Sequence, residues 1–253
     1  MTMLLFDAGN SRCKWAWLDG ETWLQQGVID NADADAWLKL KKQFSVLISP
    51  RKIFVSNVAG KIIALKLQDL CSVWDCPVHI IAAHAQECGV LNLYKQPEQL
   101  GSDRWAALIF AWNQSHTACL VVNCGTATTV DTLSARGEFI GGIILPGIDL
   151  MQRSLLAGTA NLEFDKGEFC DFPRNTADAI VSGVLLATIG AIQHQYSLLD
   201  AGNNARCIIG GGAARALCAH LKLPFELMDN LVLQGMKVIG REDSAMNKKE
   251  MVT

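Results

Sequence analysis

Two stretches of the chain share one rhythm: an apolar run, a small polar turn, and a second run that resumes strand-like alternation. The first is Leu4-Leu5-Phe6-Asp7-Ala8-Gly9-Asn10-Ser11, the second Leu120-Val121-Val122-Asn123-Cys124-Gly125-Thr126-Ala127. After the first turn, Cys13, Trp15 and Trp17 alternate with Arg12, Lys14 and Ala16, the period of two expected of a half-buried strand. Asp19-Gly20 reads as a two-residue hairpin turn and Glu21 to Ile29 as the returning strand. The spacing then predicts a helix over Ala32 to Gln43, a strand over Lys52 to Ser56, and a helix begun at Gly60 and running through Leu70. Val78 to Ala82 reads as a strand, followed by a loop and a helix from Asp103 to Asn113.

The second half repeats the plan. Cys119 to Asn123, Ala127 to Ser134 and Glu138 to Ile144 read as strands, with Arg136-Gly137 at a turn. Asp149 to Ala157 and Asn175 to Tyr196 read as helices. Arg206 to Ile209 is a short strand that meets Gly210-Gly211-Gly212 and enters a helix over Ala213 to His220. Two similar α/β halves predict a duplicated fold with a cleft between domains 1–115 and 116–253; the alternative is one undivided α/β domain. The tryptophans favour the division, since all seven lie between residues 15 and 112.

Composition narrows the function classes. Half of the 253 residues are hydrophobic and 19% are charged, which suits a globular body; only Arg241 to Thr253 is polar enough to predict a disordered tail. A net charge of −3 and no Lys/Arg cluster interleaved with aromatics argue against a nucleic-acid partner. The apolar run Ala179 to Ile192 spans 14 residues, too short for a bilayer, and reads as a buried core helix with no membrane role. Nine cysteines and an N-terminus that opens on a strand predict a reduced, cytoplasmic protein. Cys71, Cys76 and His79 match no standard zinc spacing, so buried thiols are the preferred reading.

The two turns suit phosphates. A Gly lets the backbone approach an anion, and successive N–H groups and hydroxyls donate to its oxygens. Asp7, at the C-terminal end of the first strand, can work on phosphate through Mg²⁺, or can simply cap its own turn. Gly101-Ser102-Asp103-Arg104 precedes an apolar helix. It reads either as an N-cap by Ser102 or Asp103, or as a base and an anion clamp: phosphoryl transfer to an alcohol needs a carboxylate to accept the proton, and Arg grips carboxylates bidentately. Gly125-Thr126-Ala127-Thr128 can donate to phosphate or form an ordinary turn. The triple glycine can admit an adenine or ribose against its backbone. Asp131 is left without a role.

Taken in order, Asp7-Ala8-Gly9-Asn10-Ser11, Gly101-Ser102-Asp103-Arg104-Trp105, Gly125-Thr126-Ala127-Thr128, Gly141-Gly142-Ile143-Ile144-Leu145-Pro146-Gly147 and Ile209-Gly210-Gly211-Gly212 resemble the motifs of type III pantothenate kinases, in the superfamily of acetate and sugar kinases, heat-shock chaperones and actin. The resemblance implies two ribonuclease H-like domains, actin-like, around a nucleotide cleft. It also implies a homodimer and the ATP-dependent phosphorylation of pantothenate to 4′-phosphopantothenate, the first step toward coenzyme A. Carried over by position, Asp103 is the proton acceptor; Tyr94, Gly101, Ser102, Arg104 and Thr176 contact pantothenate. Asp7, Ala8, Gly9, Asn10, Ser11, Arg12, Cys13, Lys14 and Thr126 hold ATP with Mg²⁺. Where many members carry an Asp that ligates K⁺ or NH₄⁺, this chain has Asn123, which implies a weaker or altered cation dependence. The alternatives are a non-catalytic accessory factor of the same family acting through a protein partner, and another phosphotransferase or polyphosphate hydrolase of the superfamily.

Overall fold

The computed structural model describes residues 1–157, 167–199 and 205–250. It divides into two units, one built from Met1–Gln114 with the C-terminal segment from Leu231, the other from Ser115–Asn230.

In the first unit, strands β1 (Thr2–Ala8), β2 (Arg12–Asp19) and β3 (Thr22–Asp30) form an antiparallel meander, and β4 (Lys52–Asn57) and β5 (Val78–Ile80) extend it in parallel, in the order β3-β2-β1-β4-β5. Helices α1 (Ala34–Ser45) and α2 (Lys61–Cys71) make the crossovers. Helix α1 starts two residues later than expected because Asp33 caps it, its carboxylate accepting from the Ala36 N–H at 2.9 Å. The β2–β3 loop is Gly20-Glu21 rather than Asp19-Gly20: a register shift at Trp17/Leu18 pairs Asp19 with Thr22. The tryptophan-rich first half is explained by packing, since Trp15, Trp17 and Trp74 surround the wholly buried Phe44, with Trp15 meeting it edge-on at 5.1 Å and 89°.

A short hairpin follows, β6 (Gln86–Glu87) and β7 (Val90–Asn92), turned through Cys88 and Gly89, both at positive φ as a primed turn requires. Helix α3 (Ser102–Ser115) is buried along most of its length, with Trp105 and Leu108 inaccessible to solvent.

The second unit repeats the order of the first. Strands β8 (Cys119–Cys124), β9 (Ala127–Leu133) and β10 (Glu138–Pro146) run antiparallel, and β11 (Arg206–Gly210) and β12 (Glu226–Leu227) add in parallel to β8, giving β10-β9-β8-β11-β12. This unit also carries α4 (Ile148–Ala157), α5 (Thr176–Ser197) and α6 (Ala214–Cys218). Helix α5 corrects one expectation. It is 22 residues long, and by length and composition alone could cross a bilayer. Only one face, Ser182, Val184, Leu185, Thr188, Ile189 and Ile192, enters the core, while Gly183, Leu186, Ala187 and Gly190 are exposed.

The C-terminal segment is the larger surprise. Instead of a disordered tail, α7 (Leu231–Glu250) forms and belongs with the first unit, so the assignment of everything beyond residue 116 to a second domain does not hold. Its apolar stripe, Val232, Met236 and Ile239, is buried, and it packs on β1, β2 and β4. Glu21 receives Lys237 at 3.2 Å and Arg241 at 3.0 Å, and Lys52 pairs with Asp243. Residues 251–253 of the expected tail lie outside the described residues.

Candidate functional site

The first unit gathers its chemistry where β1 ends. Pairing places Asp7 opposite Lys14 on β2 and Ser56 on β4, so a cation, a carboxylate and a hydroxyl stand in one row across the sheet. The chain then turns through Gly9-Asn10-Ser11, with the Gly9 N–H donating to the Arg12 carbonyl at 3.0 Å. Neither packing nor φ demands glycine here, since an added Cβ would meet nothing closer than that carbonyl at 3.5 Å. Open space outside the turn is what the missing side chain leaves. Of the residues expected along this segment, Asn10, Ser11 and Arg12 are exposed and Lys14 half-buried, whereas Ala8 and Cys13 are wholly buried. Cys13 sits in the core with Phe6 and Phe44, so any contact it offers a ligand is through its backbone.

Helix α3 delivers the second group. Its first intrahelical bond runs from the Trp105 N–H to the Gly101 carbonyl at 2.9 Å, which puts Ser102 and Asp103 inside the first turn and not at a capping position. Ser102 instead shares a buried 2.8 Å hydrogen bond with Ser56. Asp103 accepts from the Arg104 N–H at 2.8 Å, and a Cβ on Gly101 would stand 2.6 Å from Asp103 Oδ1, so only glycine lets the carboxylate lie there. Arg104 is buried, its Nη1 donating to the Tyr94 hydroxyl at 3.3 Å with the guanidinium 5.8 Å from the ring centroid. Tyr94 is itself placed by Asn92, whose amide accepts from the Tyr94 N–H at 3.1 Å and donates to the Pro97 carbonyl at 3.1 Å. On the next position of α3, Trp105 donates to Glu87 at 2.6 Å.

The carboxylates feel one another. Burial, and after it the charge of Asp103, push the Asp7 carboxyl up to about 7, with Lys14 opposing. Burial likewise pushes Asp103 above the usual carboxylate range, while the Arg104 N–H and guanidinium pull it back. A pair of crowded carboxylates beside the Gly9-Asn10-Ser11 turn is a donor set suited to a hard divalent cation that completes its shell with water and substrate oxygens. Among the described residues no cluster of three or more His, Cys, Asp or Glu forms a closed metal cage. All nine cysteines are free thiols. His79, weighed as a zinc ligand, stacks on Phe54 at 5.0 Å.

The second unit carries the counterpart turn. Gly125 N–H donates to the Ala127 carbonyl at 3.0 Å, as Gly9 does to Arg12, and here too an added Cβ would meet only a carbonyl at 3.5 Å. Thr126 follows it. Gly211, at φ +98°, packs against the Cys124 backbone, so the triple glycine serves close approach to this turn. Asn123 lies on β8 between Gly210 and Thr129. The hydroxyls of Thr128 and Thr129 are buried without partners, and Asp131 is buried nearby on the same strand. Thr176 is the first residue of α5, exposed, behind an Asn175 cap that accepts from the Asp178 N–H at 2.9 Å.

Sequence reasoning missed Ser56 and Lys14's pairing with Asp7. Lys52 to Ser56 read only as a strand; its place beside β1 is a tertiary fact.

Comparison with known proteins bears on the same residues. The sequence signature described as type III pantothenate kinase matches residues 3–197. A type III pantothenate kinase of Aromatoleum aromaticum is 48% identical over 96% of this chain and 99% of its own length. That of Nitrosospira multiformis is 45% identical over 96% and 92%. Among solved structures, a protein described as a Baf family transcriptional activator from Campylobacter jejuni aligns with a TM-score of 0.62 at 23% identity, covering 96% of this chain and 99% of that one. MreB5 of Spiroplasma citri bound to AMPPNP aligns at 0.53 and 11%, covering 98% of each. These low identities speak for the fold alone, which is the two-domain actin-like fold. With the signature spanning both turns and the Asp103-Arg104 pair, and the relatives aligned nearly end to end, the chain belongs to the type III pantothenate kinase family.

Proposed function

We propose that Asp103 is the catalytic base, Arg104 with Tyr94 the carboxylate clamp, and Gly9-Asn10-Ser11 a phosphate cradle of this pantothenate kinase. The overall reaction is ATP-dependent phosphorylation of pantothenate to 4′-phosphopantothenate, the entry to coenzyme A synthesis. The observation that carries the residue assignment is the first turn of α3, which presents a carboxylate and a buried guanidinium side by side, close enough to Asp7 to raise its pKa. Pantothenate has a primary hydroxyl and a carboxylate, one for each. The hydroxyl oxygen attacks the γ-phosphorus, its proton passes to the Asp103 carboxylate, and the bond to the ADP oxygen breaks.

Asp7 would help hold Mg²⁺, which when bound would supply positive charge to offset that of the phosphates. Lys14, opposite Asp7, adds a second cation to that edge. Ser102, fixed by Ser56, orients the start of α3, and Gly101 leaves room for the Asp103 carboxylate. Thr126 is proposed as a phosphate contact from the second turn and Thr176 as a pantothenate contact. The exposed small and apolar face of α5, Ala179, Gly183, Leu186, Ala187 and Gly190, supports a homodimer. Net negative charge supports a protein that works without nucleic acid, and nine free thiols support a cytoplasmic setting.

The decisive experiment follows ADP release with ATP and Mg²⁺, with and without pantothenate and with and without K⁺. ADP release that requires pantothenate is the expected result; silence from folded protein in every arm would favour the accessory-factor role. With an amide in place of a carboxylate at Asn123, the K⁺ response is expected to be weak, and Asn123→Asp to steepen it, read from a K⁺ titration of the rate.

Arg104→Leu is expected to raise the pantothenate KM by about tenfold to a hundredfold while the ATP KM holds, the loss of a charge-assisted hydrogen bond to one substrate only. Steady-state kinetics with each substrate varied in turn checks it. Equal losses for both substrates would assign Arg104 to the fold instead.

A further inference from the structure

Asn31 lies just past β3, in a segment the motifs leave unassigned, and it is buried. Its amide Nδ2 donates to the Gly9 carbonyl at 2.7 Å and to the Asn10 carbonyl at 3.0 Å, and its backbone N–H donates to the Ser11 carbonyl at 3.0 Å. Three consecutive carbonyls of the first turn are thus held by one residue. Its own carbonyl accepts from Lys66 Nζ, on α2, at 2.8 Å. The ammonium also lies 5.4 Å from the Trp37 ring centroid, so Lys66 is placed by α1 as well.

The orientation of the amide is settled by its partners. Turned over, Oδ1 would face two carbonyl oxygens, and as placed Oδ1 has no hydrogen-bond partner at all. Leaving a buried acceptor unpaired is unfavourable, so the two Nδ2 bonds outweigh that cost. A peptide plane has two ends: fastening successive carbonyls toward the protein directs the attached N–H groups of the following residues outward, which is the arrangement that binds an anion.

We propose that Asn31, held by Lys66, is a positioning residue for nucleotide phosphate: it tethers the carbonyls of Gly9, Asn10 and Ser11 so that the N–H groups of those same peptides face the phosphate oxygens. This rests on the reading of that turn as the ATP cradle, and it adds a residue outside the family motifs to which ATP affinity answers.

The test compares Asn31→Ala, Asn31→Asp, Lys66→Met and Ser11→Ala in the full chain, measuring both KM values, kcat and the melting temperature. Asn31→Ala is expected to raise the ATP KM about tenfold or more, with the pantothenate KM nearly unchanged. Lys66→Met is expected to act in the same direction and less strongly. Asn31→Asp is the discriminating variant. It preserves shape but turns a carboxylate oxygen onto two carbonyl oxygens, so its ATP KM is expected to exceed that of Asn31→Ala; a residue that merely fills space would show the opposite order. That opposite order, or parallel losses for both substrates that follow the melting temperature, overturns the proposal. If Ser11→Ala raises the ATP KM and neither Asn31 variant does, the cradle stands and the tether is wrong. If none of the four moves the ATP KM, both are wrong.

Discussion

Replacing Asp103 with Asn is expected to lower kcat for pantothenate-dependent ADP release by about a hundredfold or more, with ATP binding retained, as the loss of a general base requires. The substitution keeps the shape of the side chain and an oxygen to accept the Arg104 N–H now bonded at 2.8 Å, so the first turn of α3 has no reason to unwind. What it removes is the carboxylate's ability to take a proton. Burial raises Asp103 above the ordinary range, toward the working pH, which suits the proposed base, while the Arg104 N–H and charge pull it the other way. The rate of the native enzyme is therefore expected to fall on an acidic limb that lies above the usual carboxylate range, and Asp103→Asn is expected to erase the contribution of this group to that limb. Stopped-flow or coupled assays across pH read both effects. A variant that turns over normally would take the base away from Asp103 and return its carboxylate to a helix-terminal role.

How much of this was legible in the sequence depends on the range of the interaction. The period-two alternation of Cys13, Trp15 and Trp17 and the repeated apolar-turn-strand pattern report local backbone, and the strands they predict are present, in the same order in both units. The adjacency of Asp103 and Arg104 was visible because the two are consecutive. Asn31 was not, because 21 and 22 residues separate it from the carbonyls it binds. Ser56 was hidden for the same reason, its partner Ser102 being 46 residues away.

Helix α7 failed for a different reason. Gly235 and Gly240 interrupt its pattern and the charged stretch after Arg241 resembles a solvated tail, yet the glycines face Ala106 on α3 and Met3 and Phe54 on the sheet. Local propensity was overridden by close packing that only the assembled unit supplies. The hairpin turn slipped by one residue because a bulge within β2 and β3 changes the register without changing the alternation nearby. Both errors fall where a backbone decision was taken by tertiary contact.

Asp7→Asn is expected to abolish turnover to about the same degree and, in the absence of nucleotide, to stabilise the protein at high pH. An Asp normally titrates near 3.8, and this one is pushed up to about 7 by burial, by Asp103 and against the pull of Lys14. Below the ordinary value the carboxyl is protonated whether the chain is folded or not, and its environment carries no charge penalty. Between that value and about 7 the unfolded chain releases the proton more readily than the folded one, so stability falls with rising pH through this window; above it the folded protein bears the full cost of a crowded carboxylate. Asn cannot ionise, so the melting temperature of the variant is expected to match the native protein near pH 4 and to exceed it at pH 8. If Asp7 holds a divalent cation with ATP, as proposed, that cation would favour the ionised form, and the melting shift it produces in native protein is expected to grow as pH rises through 7 and to be largely lost in the variant. Thermal melts of both proteins at several pH values, with and without Mg²⁺ and ATP, read all of this. A variant no more stable than native at pH 8 would show that Asp7 is solvated well enough to bear its charge, and its cost as an apo carboxylate could no longer be tied to a cation-binding role.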